Sequence, residues 1–202
     1  EEYQRLRTRA KVLYGRAHEY AKKGLLLSAK DFPAAFQANI QEALLRINKR
    51  QDVPFLYWAG TSLAKLITLS KTDPAAAIRL PEAAAYMQRA LELDPDYDSG
   101  AIHEFYIAYE ARGAIMGGDV TKAEEHYKKA VVLGRGMKLS PLLTYAEAFC
   151  IPDQNTRDFD ALMKQIMDFD IDRYPEYRLV NALAKKRAQQ LLKKKDDLFL
   201  GE

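Results

Sequence analysis

Apolar residues recur at three- and four-residue spacing along nearly the whole chain, and no two-residue alternation lasts long enough for a strand. The pattern predicts a first helix over 5–23, with Leu6, Ala10, Leu13, Ala17 and Tyr20 on one side and Gly24 to end it. A second helix over 32–50 carries Phe36, Ile40, Leu44 and Ile47. Pro54 suits the first turn of a third, where its missing N–H would have no partner anyway. That helix runs to 69, with Phe55, Trp58, Ala59, Ser62 and Leu66 along one face. Asp73-Pro74 starts a short helix. A longer one opens at Pro81 and stops at Asp94-Pro95, because proline biases the residue before it away from helical angles.

The next helix begins at Ser99 or Gly100 and carries Ile102, Phe105, Tyr106 and Tyr109. Gly117-Gly118 permits a turn, and Asp119 is placed to accept backbone N–H bonds as an N-cap. The helix that follows ends at Gly134. Ser140-Pro141 opens another through Cys150, then come 158–169 and a last helix over 175–199. Val180, Leu183, Ala184, Leu191 and Leu192 are expected to face inward on that last helix, with its Lys- and Gln-rich side in water.

Two helices share a sequence. Residues 82–93 (EAAAYMQRALEL) match residues 122–133 (KAEEHYKKAVVL), pairing Ala83 with Ala123, Met87 with Tyr127, Ala90 with Ala130 and Leu93 with Leu133. Small residues seven apart with a bulky one between let a second helix approach closely. Recurrence at forty positions predicts an all-α fold of tetratricopeptide-like helical hairpins, stacked as a superhelix with a C-terminal capping helix. The expected organisation is one helical-repeat domain over 1–202. It comprises a degenerate first hairpin (1–52), two clear repeats (53–98 and 99–139), and a last hairpin with its cap (140–202).

Composition narrows the function. The 31 basic and 28 acidic residues give a net charge of +3, which makes no electrostatic case for nucleic acid. Cys150 is the single cysteine, so neither an internal disulfide nor a multi-cysteine metal site is expected. No apolar run approaches the roughly 20 residues that span a bilayer. No signal sequence is found at Glu1-Glu2-Tyr3. His18, His103 and His126 show no ligand spacing, and Gly113 to Gly118 lacks the Lys-Ser/Thr of a phosphate loop. No metal, cofactor or catalytic residue is expected.

The candidate site is a groove. The first helix of each hairpin lines the concave side of such a repeat, so Trp58, Ser62, His103, Tyr106, Tyr109, Tyr145 and Asn181 are its expected lining. Phe105 and Tyr109 share a helix face, which turns Tyr106 toward the groove. The same aromatics equally suit the interhelical core. Glu147 with Arg178 or Arg187 reads as a structural ion pair, or as a ligand clamp.

Several segments carry a family resemblance: residues 93–97 (LDPDY), 117–133, 143–149 (LTYAEAF), 175–192 (PEYRLVNALAKKRAQQLL) and 197–199. Over about 54–199 the chain resembles the TatT family, the tetratricopeptide component associated with TRAP transporters. The resemblance implies a periplasmic lipoprotein, anchored through an N-terminal lipidated cysteine that is not among these residues. It also implies a homotrimer that binds the periplasmic substrate-binding subunit of the transporter and takes a small apolar ligand. The expectation is therefore a non-enzymatic accessory to solute uptake. A protein–protein adaptor without a small ligand, and a hydrophobic-ligand carrier, are the alternatives.

Overall fold

The computed structural model describes residues 1–70 and 72–200, so the last two positions of the expected span 1–202 lie outside the described residues. Among the described residues the regular structure is helical and no strand occurs. The chain divides into two compact units, Glu1–Tyr97 and Asp98–Glu202.

The first unit holds α1 (Glu2–Leu25), α2 (Phe32–Ala38), α3 (Ile40–Leu45), α4 (Val53–Leu69), α5 (Pro74–Ala77) and α6 (Leu80–Leu93). The helix predicted over 32–50 is broken at Asn39, whose backbone is extended. Its side-chain oxygen accepts from the N–H of Gln41 at 2.9 Å and of Glu42 at 3.3 Å. An N-cap in mid-segment thus competes with helix propagation and restarts the helix.

α1 and α6 both pack along α4. Gly60 sets the α4–α6 spacing, since a methyl there would lie 2.8 Å from Met87 Cγ and 3.0 Å from the Ala83 carbonyl. Ala83, Tyr86, Met87 and Ala90 are fully buried on α6, as are Leu56, Ala59 and Leu63 on α4. Each large apolar side chain so buried contributes roughly 1.5–3 kcal/mol before chain entropy is charged against it.

α1 packs through an unexpected face. Leu6, Leu13 and Tyr20 are 52%, 52% and 63% exposed, while His18, Ala21 and Leu25 are buried. Polar groups on the inward face are satisfied by α4 carbonyls. Arg7 Nε donates to Leu69 O at 2.8 Å, and His18 Nδ1 lies 2.9 Å from Ala59 O. Those bonds let a mixed face bury in preference to the apolar stripe.

The second unit holds most of α7 (Tyr97–Glu110), then α8 (Val120–Gly134), α9 (Ser140–Tyr145), a π turn (Ala146–Cys150), α10 (Thr156–Asp168), α11 (Arg178–Leu192) and α12 (Lys195–Leu198). Asp119 caps α8, accepting from Thr121 N at 2.9 Å and Lys122 N at 3.3 Å. Leu139, Leu142, Phe159, Met163, Ile166, Ala184, Ala188 and Leu191 form one core. α11 presents Asn181, Ala184, Ala188 and Leu191 to it. Leu183 and Leu192 face outward instead, because the two alanines let the backbone come close on that side.

The start of α7 is irregular. Asp98, Ser99 and Gly100 have φ of 44°, 52° and 89°. Left-handed angles cost an L-residue roughly 1–2 kcal/mol each. Lys138, nearly buried, donates from Nζ to the Asp98 carbonyl at 2.9 Å, and Ser99 Oγ meets Tyr177 OH at 2.9 Å. Gly100 abuts α8: an added Cβ would sit 3.1 Å from Ala130 Cα and 3.2 Å from Leu133 Cβ.

Candidate functional site

The candidate site grows from the register of α7 on α8. Gly100 faces Ala130, and Ile107 packs with Ala123. In an antiparallel hairpin that register brings His103 opposite His126, and their Nδ1 atoms are 2.7 Å apart. One imidazole must donate and the other accept, so the pair shares a proton. Burial, then the charge of His103 and then of Lys129 and Lys122, holds His126 down at about 4. It therefore stays neutral near pH 7 and presents a π face.

Tyr106 stacks on His126 at 4.8 Å, with the planes 20° apart. It stands edge-on to Phe105 at 5.2 Å and to Tyr109 at 5.8 Å, while those two rings stack on each other at 5.7 Å. It turns into α8, however, and is 5% exposed, because His126 occupies the side expected to be open. Arg112 lies over the Tyr109 ring at 3.9 Å. One residue along α8, Tyr127 stacks on Tyr145 at 4.2 Å, and Tyr145 stacks on Phe149 at 4.7 Å. His103, Tyr106 and Tyr109 thus cluster with His126 where α7 meets α8, and Tyr145 clusters with Tyr127 and Phe149 where α8 meets α9.

Asn181 is fully buried away from these rings. It accepts from Leu139 N at 3.0 Å and donates to Met137 O at 2.8 Å, so it braces the turn before α9. Trp58 and Ser62 belong to the first unit. Trp58 is 52% exposed and edge-on to Tyr57 at 5.4 Å. Ser62 is buried, and its hydroxyl donates to the Trp58 carbonyl. Glu147 Oε1 accepts from Arg187 Nε at 2.7 Å, while Arg178 pairs with Asp172 at 2.9 Å. Cys150 is buried, and burial first and Asp158 second push its thiol up to about 11. It is a thiol near neutral pH, not the thiolate that nucleophilic chemistry requires.

A second polar cluster lies in the first unit. Burial alone would raise the Glu82 carboxyl, but His18 and Arg79 beside it hold it down at about 2. Arg79 grips both carboxylate oxygens at 2.8 and 3.0 Å, and His18 Nε2 is 3.6 Å away. This is a structural clamp between α1 and α6.

The lowered His126 value carries a pH prediction. Between pH 6.5 and 4 the unfolded chain takes a proton there that the folded chain refuses. Stability contributed by neutral His126 is whole above 6.5 and declines as the pH falls toward 4. Denaturation midpoints measured at pH 7 and 4.5 should therefore converge in His126→Gln relative to the parent. Equal pH dependence in the two would show that His126 titrates normally.

The family model described as TRAP transporter T-component matches residues 1–199. The chain belongs to the TRAP transporter T-component family. An uncharacterized protein of Treponema pallidum (strain Nichols) is 28% identical to this chain over 197 residues. That stretch is 96% of this chain and 61% of the relative, so the chain spans less than two thirds of the relative's length. No helix among the described residues is long and apolar enough to cross a membrane.

Two site residues escaped the sequence: His126 and Tyr127. Their signal was the repeat itself. Ala123 and Ala130 bracket both, so the close face of α8 must point its intervening residues toward α7 and α9.

Proposed function

We propose that this T-component is a non-catalytic partner of the periplasmic substrate-binding subunit of a TRAP transporter. In this reading its hairpins form a tetratricopeptide-like superhelix capped by α11. It acts as a homotrimer in the periplasm, tethered by a lipid anchor outside these residues. A small apolar ligand passes along the aromatic set of α7, α8 and α9. The observation that carries the reading is the T-component match over 1–199, and the stacked rings around neutral His126 support the ligand half of it.

Native mass spectrometry of the chain, with and without its substrate-binding subunit, tests both halves. The expected spectrum shows a trimer, a complex with the subunit, and a retained small molecule. Trp58→Ala should weaken the complex by about ten-fold, as for an exposed aromatic anchor, while leaving the thermal midpoint in place. A complex without a small molecule would favour a plain adaptor. A retained ligand without a complex would favour a carrier. Neither a complex nor a ligand would sink the proposal.

A further inference from the structure

We infer that the outward face of α1 is a docking surface for an anionic lipid bilayer. This goes beyond partner binding and does not depend on it. α1 is 24 residues long, roughly 36 Å of straight helix at 1.5 Å per residue. Its exposed side carries Tyr3 (72%), Leu6, Leu13 and Tyr20 (63%), with Ala10 and Ala17 between them. Bordering this stripe along its whole length is an exposed band of Arg5, Arg9, Arg16 and Lys23. The carboxylates nearest the band are Glu2, in the first turn, and Glu19, which Lys22 meets at 3.3 Å.

An apolar stripe with cations along one edge is the pattern of a helix lying in a membrane interface. Tyrosines sit at both ends, where amphipathic rings favour the headgroup level. The basic side chains are long enough to keep their charge in that layer while their stems cover apolar surface. Between Arg16 and Lys23 the missing side chain of Gly15 leaves a shallow depression of about 320 Å³, walled by Val12, Glu19 and Tyr20. It offers a headgroup two cations in a recess whose one carboxylate, Glu19, is met by Lys22.

Charge decides against a second copy of the chain on this face. The stripe has the 3-4 spacing of a coiled coil, which needs opposite charges on its two flanks. One flank here is Arg9, Arg16 and Lys23. The other holds Arg7, tied to Leu69 O, and Ala21, buried in the core of its own unit. Two copies would bring those cations together, with only Glu2 and the Lys22-paired Glu19 of each copy near enough to meet them. A protein partner would also concentrate its affinity in a few central anchors set in pockets. Here four modest side chains are strung along one line over the length of the helix, which a bilayer accommodates and a pocket does not.

Vesicle co-sedimentation tests the inference. The purified chain should bind vesicles of phosphatidylglycerol and phosphatidylcholine, bind phosphatidylcholine alone weakly, and lose binding as salt rises. Each basic side chain near an anionic surface strengthens adsorption by about five-fold, so R9Q/R16Q should weaken it about thirty-fold. L6S/L13S should weaken it too, with an unchanged circular-dichroism spectrum, because both leucines are half exposed. Three results would overturn the inference: no adsorption at low salt; adsorption indifferent to vesicle charge and to the arginine changes; or L6S/L13S altering the sedimentation coefficient or subunit binding while vesicle binding stays constant. The last would make α1 a protein interface. Binding of the substrate-binding subunit is read separately, so failure here leaves the proposed function standing.

Discussion

Tyr86→Ala is expected to lower stability by about 3–5 kcal/mol, the range for truncating a buried aromatic ring. Tyr86 is fully buried, stacked on Phe36 at 5.8 Å and edge-on to His18 at 6.0 Å. It therefore touches α1, α2 and the Glu82 clamp at once. Its hydroxyl has no hydrogen-bond partner among the described residues. Burial, reinforced by the charge of Glu82, raises its pKa, so the group stays a neutral phenol. A buried hydroxyl without a partner contributes nothing that a ring would not. Tyr86→Phe should accordingly leave the urea midpoint equal or slightly higher. A large loss in the phenylalanine variant would mean that the hydroxyl is bonded and that the packing of α6 is differently arranged. A small loss in the alanine variant would mean that α1 and α2 are held by something else.

Gly100→Val is expected to cost about 2–5 kcal/mol, combining left-handed strain with overpacking. Both causes are visible. Gly100 has φ of 89°, and its first added carbon would lie 3.1 Å from the backbone of Ala130, which has no flexible end to move aside. Gly117→Ala separates the two causes. Gly117 has φ of 74° and ψ of 22°, left-handed like Gly100, but nothing within 4 Å of an added Cβ. It should lose only the conformational part, about 1–2 kcal/mol. Equal losses at the two positions would show that α7 and α8 part easily at Gly100. The same displacement would separate His103 from His126, so Gly100→Val should also weaken retention of any apolar ligand.

Local chemistry made the helices legible. Proline and cap residues announce α4, α6, α8 and α9, and the small-residue repeat identifies Ala83, Ala90, Ala123 and Ala130 as buried. The break at Asn39 was also local, and it was hidden because an Asn inside an apolar period is indistinguishable from an exposed one until its side chain is seen to cap. The site was less legible. Which ring faces which neighbour depends on helix rotation, and a rotation of one residue exchanges Tyr106 with Phe105. Asn181 lay in the expected set on polarity alone, yet its amide closes two backbone groups of the 137–139 turn.

By itself, the sequence determined an all-helical chain, the helix starts beside prolines and at Asp119, the close face of the repeated helices, and the TRAP T-component family. Each of these is encoded within one helical turn or in a recurring string. Only the tertiary structure decided which face of α1 and of α11 is buried, that His103 and His126 share a proton, that Arg187 and not Arg178 meets Glu147, and that three left-handed residues open α7. The physical reason is that burial is settled by competition between faces. On α1, two hydrogen bonds to α4 carbonyls made a mixed face the better one to bury, which left the apolar stripe beside its arginines in the open.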